Sequence, residues 1–226
     1  MVARPTPARM EDALMYLPRK GVSDYSKGST IFDEVNPSQS LHLVVQGRVK
    51  YAAPLDDGRQ TVVDIFNTDD FFGESCLLSS LPHTQVATAL DNVTLMSWGA
   101  AEIEDQVQRQ PRLGLALMQM LVKRTLDYEQ RIQSFALDRT PERLINALLH
   151  FASRLGIQSD DGLVRIPPLT HQLISEYVGT SREIVTFQLS HLRQDGLLRY
   201  SRQGIDVYVD ALRNRLKDRN LANGAF

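Results

Sequence analysis

The sequence contains little cysteine: Cys76 is the only one among 226 residues. A single cysteine excludes an intramolecular disulfide, a four-cysteine zinc site and an iron–sulfur cluster held by several thiolates. We therefore expect no metal ligands and no iron–sulfur cofactor in this protein. Cys76 lies beside two leucines, a setting typical of a small apolar side chain rather than of a redox thiol. The absence of disulfides suits a protein of the reducing cytoplasm.

Long hydrophobic runs and enzyme signatures are also missing. No stretch approaches 18 consecutive apolar residues, so we expect no membrane span. The N-terminal segment contains Arg4 and Arg9 but no apolar core typical of a signal peptide. HExxH, GxSxG, Walker-loop and GxGxxG motifs are absent from the sequence. We therefore expect a cytoplasmic protein that contacts no membrane and is not an enzyme.

The chain has no strong excess of either charge, since its formal net charge is −2. This small total conceals a difference between the two parts of the chain. Residues 1–138 contain 13 Lys and Arg against 18 Asp and Glu, whereas residues 139–226 contain 12 against 9. A basic C-terminal part is typical of a module that binds nucleic acid.

From roughly residue 29 to residue 98 the chain is rich in strand-forming residues and turn signals. LHLVVQGRVKYAAP (41–54) and QTVVDIF (60–66) flank Asp57-Gly58, a dipeptide that favours a hairpin because glycine tolerates positive φ. VATALDNVTLMSW (86–98) reads as a further pair of strands, interrupted at Asp91-Asn92. Several short strands at this spacing predict a small antiparallel barrel or sandwich.

A long helix is predicted from Pro111 to Leu137. Leu115, Val122 and Leu126 lie on one side and are expected to pack on the β domain. A second apolar side repeats in steps of three and four over about three heptads, which is typical of a helix that pairs with a second copy of itself. The alternative is a helix buried within its own domain. The predicted dimerisation residues are Met118, Leu121, Thr125, Tyr128, Ile132 and Phe135.

The segment LDRTPERLINALLHFASRLG (137–156) predicts a boundary followed by another helix. We expect Thr140 at the N-cap, Pro141 at the first helical position and Gly156 at the C-terminal stop. The charge changes sign at this point, so we place a border near Asp138. The predicted divisions are a β domain (1–110), a dimerisation helix (111–137) and a C-terminal domain (138–226).

The stretch LTHQLISEYVGTSREIVTFQLSHLRQDGL (169–197) predicts two short helices joined by a tight turn at Gly179. Thr170 is expected to cap the first helix. Thr180 and Glu183 have the T-x-x-E spacing of a capping box for the second helix, which Gly196 ends. Two such helices form a helix-turn-helix, whereas the alternative is an ordinary helical hairpin.

The start of the second helix is expected to face outward, because Val185, Leu189 and Leu192 form its inner face. Arginine can donate two bonds to guanine, glutamate can accept one from cytosine, and hydroxyl groups bind phosphates. LLRYSRQGIDVYVD (197–210) adds two strands, Leu197–Tyr200 and Ile205–Val209, as a wing whose turn contains a further arginine. The predicted DNA-contacting residues are Thr170, Thr180, Ser181, Arg182, Glu183, Thr186, Phe187 and Arg202.

Four stretches together resemble the CRP/FNR family of bacterial transcription regulators. These are LVVQGRVK, DDGRQTVVDIFNTDDFFGE, the long helix, and LTHQLISEYVGTSREIVTFQLSHLRQDGLL, and the likeness covers about residues 20–210. The resemblance implies an α+β chain with an N-terminal antiparallel β jelly roll of the cyclic-nucleotide-binding type. A dimerising helix and a C-terminal winged helix-turn-helix would follow. Dimers of this family bind pseudo-palindromic duplex DNA, with half-sites about 34 Å apart.

The resemblance also implies roles for individual residues of the second helix. Arg182 and Glu183 stand at the positions of the family's base-reading pair, and Thr170 and Ser181 at those of its phosphate-binding hydroxyls. Phe187 departs from the pattern, because it replaces a second base-reading arginine of the cyclic-AMP-responsive members. A phenyl ring can instead pack against a thymine methyl group.

The β domain departs further from the cyclic-AMP-responsive members. Gly73 and Glu74 match the start of the family's phosphate-binding cassette, but His83-Thr84 replaces its Arg-Ser or Arg-Thr pair, and a neutral histidine cannot supply arginine's permanent two-pronged charge. On the long helix, Asp127-Tyr128 replaces a Thr-Ser pair that contacts adenine. The implied effector pocket comprises Gly73, Glu74, Ser75, His83, Thr84, Asp127 and Tyr128.

These observations predict a homodimeric DNA-binding transcription regulator whose sensor domain is not tuned to cyclic AMP. An unknown small-molecule effector, or none, remains open. RNA polymerase is an expected partner if the protein is an activator. Haem would need an axial ligand such as His42 or His83, but a lone histidine in a β domain is more typical of polar packing. The alternative function is a signalling module or regulator that binds cyclic AMP or cyclic GMP.

Overall fold

The computed structural model describes residues 10–78, 84–159 and 163–223. Two compact units make up the chain. One contains the residues up to Val49 and those from Thr68 to Arg131, and the other contains Lys50–Asn67 and the residues from Ile132 onward. Within the described residues, no helix is both long enough and apolar enough to cross a membrane.

Eight short strands form the N-terminal β structure. Two four-stranded sheets have the orders β1-β8-β3-β6 and β2-β7-β4-β5, which is the arrangement of a jelly roll. The predicted jelly roll is therefore confirmed. The strands are β1 (Val22–Tyr25), β2 (Thr30–Phe32), β3 (Ser40–Gln46), β4 (Val49–Pro54), β5 (Gln60–Phe66), β6 (Phe71–Phe72), β7 (Val86–Ala89) and β8 (Val93–Gly99).

Strand pairing follows the apolar alternation of the sequence. β3 and β8 are antiparallel, with Leu43 opposite Met96 and Val44 opposite Leu95. Along β8, Val93 and Leu95 are buried while Thr94 and Met96 are half-buried, as expected for a strand with one face towards a core. The turn at Asp57-Gly58 joins β4 to β5 as predicted, and Gly58 has φ +80°.

In the part of the chain that the structure describes, six α-helices come after β8, and the last strands lie among them. The long helix α2 has the predicted bounds, whereas α1 and α6 were not predicted. Val209, expected in a strand, begins α6. The helices are α1 (Ala100–Arg109), α2 (Pro111–Leu137), α3 (Thr140–Leu155), α4 (His171–Val178), α5 (Arg182–Gln194) and α6 (Val209–Asn223).

The core of the first unit lies between the β structure and the start of α2. Trp98, Leu41 and Phe71 are buried there with Leu113 and Leu117 of α2. The residues of α2 that were predicted to pack on the β domain are exposed to solvent, so this prediction was wrong. They are Leu115, Val122 and Leu126.

The second unit is centred on α3, whose buried side chains include Leu144, Leu148 and Phe151. The predicted start of α3 was one residue late, since Arg139 is the N-cap and Pro141 lies within the first turn. A four-stranded sheet completes the unit in the order β11-β12-β10-β9, and β9 and β10 were not predicted. Its strands are β9 (Ile157–Gln158), β10 (Val164–Ile166), β11 (Leu198–Ser201) and β12 (Gly204–Val207).

Candidate DNA-binding site and effector pocket

The turn between α4 and α5 has the geometry predicted for a helix-turn-helix. Thr170 caps α4, because its hydroxyl oxygen accepts a hydrogen bond from the Leu173 N–H at 3.1 Å. Gly179 ends α4 in the left-handed region with φ +73°, where glycine carries no steric penalty. A side chain there would also crowd Phe135, whose Cε1 lies 2.9 Å from the position of an added Cβ.

The cap of α5 differs from the prediction by one residue. Ser181 is the N-cap, and its Oγ accepts a hydrogen bond from the Ile184 N–H at 3.3 Å. The Thr180–Glu183 capping box was therefore wrong. The backbone N–H groups of Gly179 and Thr180 both donate to the Ser175 carbonyl, so Thr180 still belongs to the turn that ends α4. The Ser181 hydroxyl also donates its proton to the Glu183 carboxylate, so that Ser181 both caps α5 and positions Glu183.

The predicted division of α5 into an inner and an outer face is confirmed by burial. Val185, Leu189 and Leu192 are buried. Hydrogen bonds to its own N–H and to Ser181 lower the pKa of Glu183, so this carboxylate is a pure acceptor at neutral pH. The exposed residues of the predicted DNA-contacting set on this helix are Arg182, Glu183, Thr186 and Phe187.

The remaining predicted contacts lie on neighbouring parts of the same unit. Thr170 is exposed at the start of α4, and Thr180 is half-buried in the turn. Arg202 is exposed in the turn between β11 and β12, which form the predicted wing.

A histidine that sequence reasoning missed links α5 to the wing. His171, the first residue of α4, has its Nδ1 at 2.8 Å from Thr186 Oγ1 and its Nε2 at 3.2 Å from the Tyr200 hydroxyl. Burial, and secondarily the charge of Arg182, lowers the pKa of His171. The neutral ring therefore predominates at neutral pH, and it connects α4, α5 and β11. In the sequence, the position of His171 directly after the capping Thr170 was the only sign that its side chain lies near the turn between the two helices.

The wing is anchored by a buried carboxylate. Asp206 on β12 is 1% exposed and accepts from Arg165 Nε at 2.6 Å and from Arg199 Nε at 3.1 Å. The hydrogen bond from Arg165 is the main cause that lowers the pKa of Asp206. Strands β10, β11 and β12 are thus tied together by one ionised side chain.

The candidate effector pocket begins at a turn that requires glycine. Gly73 has φ +83°, and an added Cβ would lie 2.6 Å from the Ser40 carbonyl oxygen. A short 3₁₀ turn, Glu74–Leu77, follows directly. Only glycine fits this backbone, which supports the predicted role of Gly73 as the start of the cassette.

The carboxylate of Glu74 is already paired within the chain. Arg124 Nη1 donates to Glu74 Oε1 at 2.6 Å, and Nη2 donates to the Phe71 carbonyl at 2.5 Å. Arg124 is buried on α2 and was missed by sequence reasoning. The signal was present, since Arg124 lies seven residues after the buried Leu117 and therefore on the inner face of the helix.

The other predicted pocket residues have mixed environments. Ser75, Asp127 and Tyr128 are half-buried, and Thr84 is exposed. His83 lies outside the described residues.

His42 and Cys76 have settings that favour packing over reactivity. His42 is buried, with Nε2 and Nδ1 each 2.7 Å from the hydroxyl oxygens of Ser38 and Ser97. Burial lowers the pKa of His42 to about 4. Burial, and secondarily the charge of Glu74, raises the pKa of the half-buried Cys76 thiol to about 11, so the thiol is protonated at neutral pH.

The outer face of α2 carries a broad apolar stripe. Met118 is 60% exposed and Ile132 66% exposed, and the side chains of Leu121, Val122 and Leu126 are exposed between them. Of the other predicted dimerisation residues, Thr125 is exposed and Tyr128 half-buried. Phe135 is also exposed, and the guanidinium carbon of Arg143 lies 5.5 Å from its ring centre.

Comparison with known proteins matches both parts of the chain. Residues 22–110 match the cyclic nucleotide-binding domain, and residues 142–215 match the Crp-like helix-turn-helix domain. A CRP-like cAMP-activated global transcriptional regulator of Mycobacterium tuberculosis is 28% identical over 78% of this chain and 79% of its own. A global nitrogen regulator of Synechococcus elongatus is 29% identical over 83% and 85%. The structure of FixK2 from Bradyrhizobium japonicum matches with a TM-score of 0.75 at 24% identity, covering 86% of this chain and 96% of FixK2.

A β domain of the cyclic-nucleotide-binding type followed by a long helix and a winged helix-turn-helix defines a class of DNA-binding transcription regulators. This chain belongs to the CRP/FNR family of bacterial transcription regulators, as its sequence predicted. The relatives named above are transcription regulators rather than enzymes.

Proposed function

We propose that this protein is a homodimeric regulator that binds a specific pseudo-palindromic DNA site, with a sensor domain not tuned to cyclic AMP. In this proposal, residues 1–110 sense, residues 111–137 dimerise and residues 138–226 bind DNA. The observation that carries it is the exposed start of α5, where Arg182 and Glu183 stand on a helix capped by Ser181.

DNA recognition follows from the chemistry of this helix start. Arginine can form two parallel bonds with guanine O6 and N7, and an ionised glutamate can accept from cytosine N4. The positive end of the helix dipole favours a nearby phosphate. Thr170, Thr180 and the wing residue Arg202 supply further groups that bind backbone phosphates.

Dimerisation is supported by the apolar stripe of α2. Its exposed residues recur with heptad spacing, and a helix face of this kind is stabilised by pairing with the same face of a second copy. A two-fold symmetric dimer would then present two α5 helices to successive major grooves of one duplex, about 34 Å apart.

The sensor proposal rests on the residues that stand at the phosphate position of the cassette. The ion pair of Arg124 with Glu74 Oε1 does not oppose a cyclic nucleotide by itself, because a carboxylate can accept a ribose hydroxyl as well. The His83-Thr84 sequence lacks the arginine that would neutralise a cyclic phosphate. We propose that the DNA-binding form does not need cyclic AMP.

The decisive experiment is selection of bound sequences from random duplex DNA, with purified full-length protein and no added ligand. We expect a two-fold symmetric consensus, and Arg182→Ala should lose about 1–3 kcal/mol on that site and relax its sequence preference. Recovery of no consensus, or an equal small loss for Arg182→Ala on random and selected DNA, would contradict the proposal.

The alternative function, a regulator that binds cyclic AMP or cyclic GMP, is favoured by the match of residues 22–110 to the cyclic nucleotide-binding domain. Calorimetric titration of the full-length protein with each nucleotide separates the two proposals. We expect no binding heat at micromolar concentrations. Saturable micromolar binding that also tightens the DNA complex would establish the alternative.

A further inference from the structure

The hydroxyl group of Thr186, on the outer face of α5, makes two hydrogen bonds within the protein. Its Oγ1 donates to the Arg182 carbonyl at 2.9 Å and lies 2.8 Å from Nδ1 of His171. A hydroxyl group has one proton. Since that proton is directed to the Arg182 carbonyl, the bond with His171 must run from the Nδ1 proton to Oγ1.

This assignment determines the direction of the whole hydrogen-bond chain. In a neutral histidine with the proton on Nδ1, Nε2 is an acceptor. The Tyr200 hydroxyl, 3.2 Å from Nε2, is then the donor. The chain runs from Tyr200 through His171 and Thr186 to the Arg182 carbonyl, and every proton in it has one acceptor. The exposed Thr186 side chain therefore has no proton to donate to a ligand, and the apolar surface that it offers is its methyl group.

Phe187 offers a second apolar surface next to this methyl group. Its ring is 60% exposed and packs edge-on against the ring of His191, with the ring centres 4.5 Å apart. Because residues four apart are neighbours on a helix surface, Thr186 follows Arg182 and Phe187 follows Glu183 in two parallel rows. Each row thus has a charged residue at the helix start and an apolar group one turn further along.

The only apolar group on the base edges of a DNA major groove is the C5-methyl group of thymine, and threonine methyl and phenyl groups are side chains that contact it. We propose that Thr186 and Phe187 are specificity-determining residues that read thymine methyl groups, so that each half-site contains thymines beside the base pairs contacted by Arg182 and Glu183. This inference rests on the proposed function, because it requires α5 to lie in a major groove.

The test uses the DNA site obtained by selection and replaces its thymines one at a time with deoxyuridine. This change removes the methyl group and leaves base pairing and all hydrogen-bonding groups in place. Binding is measured by fluorescence anisotropy at one fixed salt concentration. For the wild-type protein we expect a loss of about fourfold at one or two positions in each half-site, the equivalent of one buried methyl group.

Matched variants assign each position to a side chain. Phe187→Ala should abolish the thymine–uracil difference at one position. Thr186→Ser keeps the hydroxyl and removes the methyl group, so it should abolish the difference at the other position. Thr186→Val keeps a methyl group and removes the hydroxyl, so it should retain that difference. Circular dichroism melting of each variant checks that the domain is folded.

The outcomes separate this inference from the proposed function. If the wild-type protein binds its selected site with unchanged affinity after every deoxyuridine replacement, the thymine-reading inference is overturned while DNA recognition stands. If Thr186→Ser retains the difference and Thr186→Val loses it, the hydroxyl rather than the methyl group makes the contact, and the inference is again overturned. If no specific site is recovered, the proposed function itself fails.

Discussion

The guanidinium group of Arg124 on α2 lies 2.6 Å from the carboxylate of Glu74 at the start of the cassette. Arg124 also donates to the Phe71 carbonyl, so a single side chain connects the long helix to both ends of the turn at Gly73. The cassette and α2 are therefore joined by a charged contact.

Removal of one partner of this ion pair should destabilise the folded protein more than removal of both. Arg124→Met should cost about 3 kcal/mol, because it leaves the Glu74 carboxylate without its counter-charge and the Phe71 carbonyl without a donor. The double variant Arg124→Met with Glu74→Gln should recover part of the loss, giving a coupling free energy of about 1–3 kcal/mol. Urea denaturation measures the wild type, the two single variants Arg124→Met and Glu74→Gln, and the double variant.

Lys123→Met, at the exposed neighbouring position of α2, is the control for the Arg124 substitution and should change stability by less than about 0.5 kcal/mol. A coupling free energy near zero would contradict the inferred link between the cassette and α2.

Ile132→Asp should disrupt the proposed dimer. The exposed isoleucine belongs to the apolar stripe of α2, and a carboxylate placed in that interface should weaken dimerisation by about 3 kcal/mol, or roughly a hundredfold. Gln130→Asp, on the same helix but off the stripe, should leave the dimer intact. Analytical ultracentrifugation gives the dissociation constants. Wild-type protein that sediments as a monomer alone and with DNA would contradict the dimer.

His42 should make stability fall as the solution becomes acidic. Its pKa is lowered from 6.5 to about 4 in the folded protein, so between these values the unfolded chain binds a proton that the folded chain does not. The free energy of unfolding should therefore decrease from pH 6.5 towards pH 4, by about 3 kcal/mol from this residue. Above pH 6.5 its contribution is constant.

Urea denaturation of the wild type and of His42→Gln over this pH range isolates the contribution of His42 to stability, because the carboxylates titrate in both proteins. The wild-type curve should be the steeper one, and parallel curves would contradict the assignment.

Asp206→Asn should destabilise the winged domain by about 2 kcal/mol. It removes the charge that accepts hydrogen bonds from Arg165 and Arg199 at a buried position. Asp195→Asn is the matched control, because its ion pair with Arg215 at 3.1 Å is exposed and should contribute less than about 0.5 kcal/mol. Chemical denaturation compares the two. Equal effects of the two substitutions would show that the wing does not depend on Asp206.

Several features could be predicted because their signals are local. Pro111 at the start of α2, Gly179 between α4 and α5, and the alternation along β8 are properties of short segments, and the structure has them as expected. The cap of α5 is an exception. The backbone N–H groups of Gly179 and Thr180 both donate to the Ser175 carbonyl, so Thr180 belongs to the end of α4 and Ser181 caps α5 instead.

The sequence by itself determined the order β domain, long helix and helix-turn-helix, together with the family and the outward residues of α5, since periodicity and turn chemistry act within a few residues. Only the tertiary structure decided which face of α2 is buried, that Arg124 binds Glu74 fifty residues away, and that His171 joins Thr186 to Tyr200. Such contacts depend on where the folded backbone brings distant segments. The role of a charged or polar side chain depends on the distant residue that it contacts, and a local sequence pattern does not identify that residue.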